Sequence, residues 1–141
     1  MKGAAMRIEK VLLGISMCLL LFVEIMPAHH SFTAEYDSAK VRQFIGTVTK
    51  IEWTNPHARF YLDVKDERGT VTNWNFELGT PLMLRKLGWK ADSLKVGDQV
   101  TVEGYLAKDG AKMANARSVT LADGRKVFAG SSADTTSGGK F

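Results

Sequence analysis

The chain has 141 residues, enough for one small domain, and 19 Lys and Arg against 15 Asp and Glu give a formal charge of +4. Hydrophobic residues at 45% and charged residues at 24% make a globular composition and exclude wholesale disorder. One cysteine rules out a disulfide framework or a cysteine zinc cage within the chain, and no Gly-rich phosphate-cradling motif supports a nucleotide enzyme.

The first ten residues are basic (Lys2, Arg7 and Lys10 against Glu9), and Val11 to Val23 is thirteen residues without a charge. Pro27-Ala28 follows. A basic start, a short apolar run and a small residue predict a signal peptide over 1–28, and the run falls short of the ~20 residues of a membrane span. Met26 is large for its place before the cut, so an uncleaved anchor is the alternative. Met17 before Cys18 argues against lipidation. Cleavage after Ala28 would remove Cys18 and leave a charge of +3 and no stable membrane anchor. A thiol-free chain suits the periplasm or secretion. Charges of both signs are interspersed, so the expected partners exclude nucleic acid.

Residues 29–40 lack periodicity and read as an extended arm. Phe44 to Trp53 reads as a strand whose apolar phase switches after Val48, which predicts a bulge or bend that Gly46 would permit. Asn55-Pro56 breaks it. Arg59 to Lys65 and Val71 to Leu78 alternate and pair through the Asp66–Gly69 turn, with Trp74, Phe76 and Leu78 facing the core. Thr80-Pro81 opens a helix that Gly88 ends. Gln99 to Leu106 and Met113 to Leu121 are strands joined by a turn at Lys108–Gly110, a short strand follows over Arg125 to Phe128, and 131–141 reads as a disordered tail. The fold expected for 41–130 is all-β with small α content: a five-stranded, OB-fold-like Greek-key barrel with one helix between strands three and four.

His29-His30-Ser31-Phe32, Gly46-Thr47-Val48, Glu52-Trp53-Thr54-Asn55-Pro56-His57, Asn73-Trp74, Leu84 to Trp89 and Gly97 to Gly104 form a recognisable set. With them the chain resembles an exported bacterial family grouped as domain of unknown function 6152, over His29 to about Gly130. The resemblance implies export and a small β-barrel, and no activity.

Chemistry centres on three histidines. A chain starting at His29 would offer its α-amine and imidazole to a metal, the amine titrating at ~7.7–8.0. With His30 beside it and His57 in the loop after the first strand, a nitrogen-only set forms that suits Cu(II), and copper is the expected cofactor ahead of zinc. A chain starting at Ala28 would instead place His30 third, another Cu(II) arrangement. The bland reading has His29 and His30 as polar residues at a terminus and His57 capping a turn through a backbone hydrogen bond. Trp53, Asn55, Tyr61, Asn73 and Asn75 are a second candidate site, for a protein or saccharide on the strand face. There Asn73, Asn75 and Glu77 share one face, which reads as solvated. No carboxylate is placed as a general base and no catalytic residue is assigned, so the chain reads as a binding protein, not an enzyme.

Overall fold

A computed structural model describes residues 32–131. Helix α1 (Phe32–Glu35) leads into β1 (Tyr36–Glu52), followed by β2 (Arg59–Lys65), β3 (Val71–Glu77), α2 (Pro81–Lys86), β4 (Gln99–Ala107), β5 (Met113–Thr120) and β6 (Lys126–Phe128). The sheet order is β3-β2-β1-β4-β5-β6, and a further β3–β5 pairing closes the first five strands into a ring. That closing pair is parallel (Asn75↔Met113 to Glu77↔Asn115), while the other neighbours are antiparallel. A five-strand ring with a helix between its third and fourth strands is the OB-like barrel expected from the sequence, with β6 as a short addition.

Each element follows from local chemistry. Thr80 caps α2 by accepting from the Met83 N–H, and Pro81 takes the first turn, where its missing N–H costs nothing. Phe44 and Val48 on β1, Phe60 and Leu62 on β2, and Trp74 and Phe76 on β3 fill the barrel. Phe76 stacks on Phe60 at 5.2 Å between ring centroids and meets Phe44 edge-on at 5.0 Å. Trp89 is buried with its indole N–H bonded to the Phe128 carbonyl at 2.7 Å.

Three expectations need correction. The first strand begins at Tyr36, not Phe44, so most of the arm placed over 29–40 is either helix α1 or strand. Ser38 to Gln43 are exposed along that stretch and carry no apolar alternation, although its backbone pairs with β4. The phase switch in β1 is real, but its register shift lies between Val48 and Lys50 rather than at Gly46. Gly46 answers a different need: a Cβ there would sit 2.7 Å from the Asp63 carbonyl oxygen. Ser131, taken as the start of the tail, is buried. The expected signal peptide over 1–28, His29, His30 and the expected tail from 132 lie outside the described residues. Among the described residues no helix is long and apolar enough to cross a membrane.

Tyr105 and Ala107 lie on the β4 face opposite Val100 and Val102, past a second register shift between Glu103 and Gly104, and pack onto Tyr36. Phe32 and Met113 complete this small cluster outside the barrel core. It matters because it covers one end of β3.

Candidate functional site

Glu77 ends β3, and its residue is 6% exposed. On a strand whose inner face is Trp74 and Phe76, alternation alone would leave Glu77 in water, as the sequence reading had it. Burial comes from neighbours that alternation does not see. Asn73, on the same face, lies beyond the β3–β5 pairing and is exposed. Glu77 stands between Arg59 on β2 and Asn115 on β5, with the Tyr36 cluster over it.

A buried carboxylate has to find donors, and this one finds four. Its Oε2 accepts from the Tyr36 hydroxyl at 3.1 Å and from Arg59 Nη2, which forms an ion pair with it. Its Oε1 meets His57 Nδ1 at 3.0 Å and accepts from Asn115 Nδ2 at 3.4 Å. Arg59 reaches on through Nη1 to Asn75 Oδ1 at 3.5 Å and to Met113 Sδ at 3.6 Å. Burial, and next the Glu77 charge, push the Tyr36 hydroxyl well above the usual tyrosine range, so it stays a donor.

His57 stands in the loop between β1 and β2, and Ala58 pins that loop. The Ala58 N–H donates to the Gly79 carbonyl at 3.1 Å, and the Leu78 N–H donates to the Ala58 carbonyl at 2.9 Å. A carboxylate at Nδ1 assigns the proton of a neutral imidazole to that nitrogen and leaves the Nε2 lone pair for another partner. No described residue bonds Nε2, and the His57 side chain is 35% exposed. The backbone-capping role considered for His57 is thus replaced by a side-chain carboxylate, and the carboxylate thought missing near it is Glu77.

The three histidines are not seen together, because His29 and His30 lie outside the described residues. Among the described residues no group of three or more His, Cys, Asp or Glu side chains could hold a metal, so His57 is a single candidate ligand. The strand-face candidates divide. Trp53 is half-buried against the core, and Asn55 is exposed in the loop. Tyr61 donates to Glu52 Oε2 at 3.0 Å under Lys50, 5.1 Å from its ring. The hydrogen bond from Lys50, then the one from Tyr61, holds the Glu52 carboxyl below the usual range. Asn73 spends its amide on Asp63 Oδ1 at 2.7 Å and Thr49 Oγ1 at 3.1 Å. Only Asn75, through Arg59, joins the Glu77 network.

Sequence reasoning missed Tyr36, Arg59, Glu77 and Asn115. One signal was available: Glu77 is the last residue of an apolar-alternating strand, three positions before a helix cap, where the barrel must close.

A pocket of about 170 Å³ opens beside the network, lined by His57, Glu77, Leu78, Met83 and Asn115 among others.

The chain matches the family described as "Family of unknown function (DUF6152)" over residues 19–116. It belongs to that family. No curated protein matches it in sequence. Its fold is similar to the mitochondrial single-stranded DNA-binding protein Rim1 of S. cerevisiae, with a TM-score of 0.46 and 12% identity over 58% of this chain and 92% of that one. This finding corrects the exclusion of nucleic acid drawn from interspersed charge, since a chain of similar fold is a single-stranded DNA-binding protein. At 12% identity the likeness is one of fold, and no ligand passes with it to this chain.

Proposed function

We propose that this DUF6152 chain is a small exported β-barrel protein that binds copper, with His57 as the ligand supplied by the barrel and His29 and His30 as the ligands supplied by the N-terminal segment. One observation carries the reading: His57 Nδ1 rests on the buried Glu77 carboxylate at 3.0 Å, which leaves Nε2 without a described partner. Histidines that bind metals characteristically give their other ring nitrogen to a carboxylate, which fixes the tautomer and raises the basicity of the ligand nitrogen. Arg59 and Tyr36 hold Glu77 in place from its other oxygen.

Reach is compatible with this assignment. Phe32 stacks on Tyr36 at 5.6 Å and meets Tyr105 edge-on at 5.2 Å, so the chain enters the fold at the cluster over Glu77. His30 is two residues earlier, within ~8 Å of the Phe32 Cα by backbone geometry. Imidazole and amine nitrogens favour Cu(II) among the divalent metals. Glu77 already accepts two donors on each oxygen, which supports a positioning role rather than proton transfer, and hence a binding protein rather than an enzyme.

Calorimetric titration of Cu(II) into protein recovered from the exported fraction tests the proposal. His57→Ala is expected to weaken binding at least ~10-fold, about 1.4 kcal/mol. Unchanged affinity removes His57 from the site, and wild-type protein that loses copper to a mild chelator removes the metal.

A further inference from the structure

Val48 fixes which way the backbone of β1 faces. Its N–H donates to the Asp98 carbonyl at 2.9 Å and its carbonyl accepts from the Gly97 N–H at 2.8 Å, both on the β4 side. Main-chain groups alternate sides along a strand, and the β1–β4 register runs unbroken from Val41 to Thr47. Gly46, Phe44 and Arg42 therefore also bond toward β4, and Val41 and Gln43 aim their N–H and C=O groups the other way. β2 is the neighbour on that side, but its pairing with β1 stops at Gly46↔Val64. Among the described residues no strand pairs with Val41 or Gln43 there. The two strands part, and a cleft of about 540 Å³ opens between Arg42–Ile45 and Val64–Arg68.

Side chains along this open edge alternate as well. Val41 and Ile45, 46% and 62% exposed, lie on the outer face, whereas Arg42 shares the face of Phe44. Arg42 covers the Phe44 ring at 4.9 Å and the Trp74 ring at 5.5 Å, and Lys112 stands 5.4 Å from the same Trp74 ring. Neither cation is paired with a carboxylate among the described residues. Lys65 and Arg68 add positive charge on the opposite wall. Of the two acids there, Asp66 turns its Oδ1 onto the Arg68 and Thr70 N–H groups of its own turn, which leaves Glu67.

We infer that this edge takes up an extended acidic peptide as an added strand, with acidic side chains on the Arg42 face alternating with apolar ones beside Val41 and Ile45. Strand addition supplies the main-chain bonds, and the period of two sets the side-chain pattern. An exposed cation on an open edge discourages pairing with its own kind. Arg42 has that effect here, because two copies paired about it would set it against its own counterpart. A carboxylate on the incoming strand turns the same charge into a partner. The edge uses neither His57 nor Glu77 and is independent of the copper reading.

The probe is an acetylated, amidated octapeptide alternating Glu and Val, titrated in EDTA into protein recovered from the exported fraction. Hydrogen exchange at single amides is the readout. At saturating peptide, slowing of at least ~10-fold is expected at Val41 and Gln43, which gain acceptors, with little change at Arg42 and Phe44, which already have them. An octapeptide alternating Glu and Pro keeps the charge but cannot form a strand, and one alternating Lys and Val keeps the strand but reverses the charge. Both are expected to bind at least ~10-fold more weakly. Arg42→Glu is expected to reverse the preference between the Glu-Val and Lys-Val peptides. Should that variant fail to fold, the three-peptide comparison on the wild type still decides. Equal binding of the Glu-Pro peptide would reduce the cleft to a charged surface. Slowing at Val41 and Gln43 that grows with protein concentration alone would make a second copy the occupant. Absence of binding would leave the edge unused, and each of these three results overturns the inference.

Discussion

Tyr36 and Glu77, 41 residues apart, share a buried hydrogen bond of 3.1 Å that ties the entry of the chain to the end of β3. The bond is neutral donor to charged acceptor, a type that contributes about 1.5–3 kcal/mol. Tyr36→Phe keeps the ring packing on Phe32 and removes only the hydroxyl, so a loss of about 2 kcal/mol is expected by urea denaturation, with an unchanged m-value.

The same bond gives a pH signature. The Tyr36 hydroxyl titrates higher in the fold than in the unfolded chain, chiefly through burial and then through Glu77. Above the unfolded tyrosine value of ~10 the native state therefore holds a proton that the unfolded state has released, and stability falls as pH rises. Below that pH the contribution is fully present. The wild type should lose stability above pH ~10 more steeply than Tyr36→Phe, by up to ~1.4 kcal/mol per pH unit. Parallel slopes for the two proteins would mean that Tyr36 is not protected.

Glu77→Gln leaves Arg59 without its counter-charge and forces an amide N–H₂ against donors. A fully buried broken pair costs ~3–5 kcal/mol, and Arg59, at 30% side-chain exposure, regains some water, so about 2 kcal/mol is expected. The double variant Glu77→Gln with Arg59→Met should lose less than the two single losses combined, because the second change removes the stranded charge. Strict additivity would show that the pair is not coupled.

The barrel itself was legible in the residues, and the Glu77 site was not. Alternation in Arg59–Lys65 and Val71–Glu77, the turn at Asp66–Gly69 and the Thr80-Pro81 cap each act over a few residues, which is the range a sequence pattern expresses. Glu77 looked solvated because its burial depends on Asn115, 38 positions on, and Tyr36, 41 positions back. Tyr36 in turn was hidden in a polar stretch whose strand is held by backbone pairing with β4 rather than by apolar alternation. Gly46 was noticed but misread, since a close approach and a bulge leave the same residue behind.

Gly46→Ala tests that distinction. A bulge would tolerate the methyl group, whereas a Cβ 2.7 Å from the Asp63 carbonyl oxygen and 3.2 Å from Leu62 Cβ must push β2 off β1. Both neighbours belong to a paired strand and yield poorly, so a loss of about 1–3 kcal/mol is expected, seen as a lowered denaturation midpoint. A neutral result would return Gly46 to a merely flexible role.

Phe32 is the first described residue, and its removal separates local from global stability. Its ring contacts are with Tyr36 and Tyr105, in the small cluster outside the barrel core. Phe32→Ala should therefore open that end without unfolding the barrel. The Lys108 amide, bonded to the Glu35 carbonyl at 2.9 Å, reports the docked end. Val102, buried in the main core, reports the barrel. Hydrogen exchange is expected to speed at least ~10-fold at Lys108 and to change little at Val102, because local opening draws only on the contacts of its own unit. Under the copper proposal, Cu(II) affinity is expected to fall in the same variant, since Phe32 connects the segment that carries His29 and His30 to the described fold. Equal acceleration at Lys108 and Val102 would instead make α1 part of the cooperative core, and would mean that the entry of the chain is built into the barrel rather than clipped onto it.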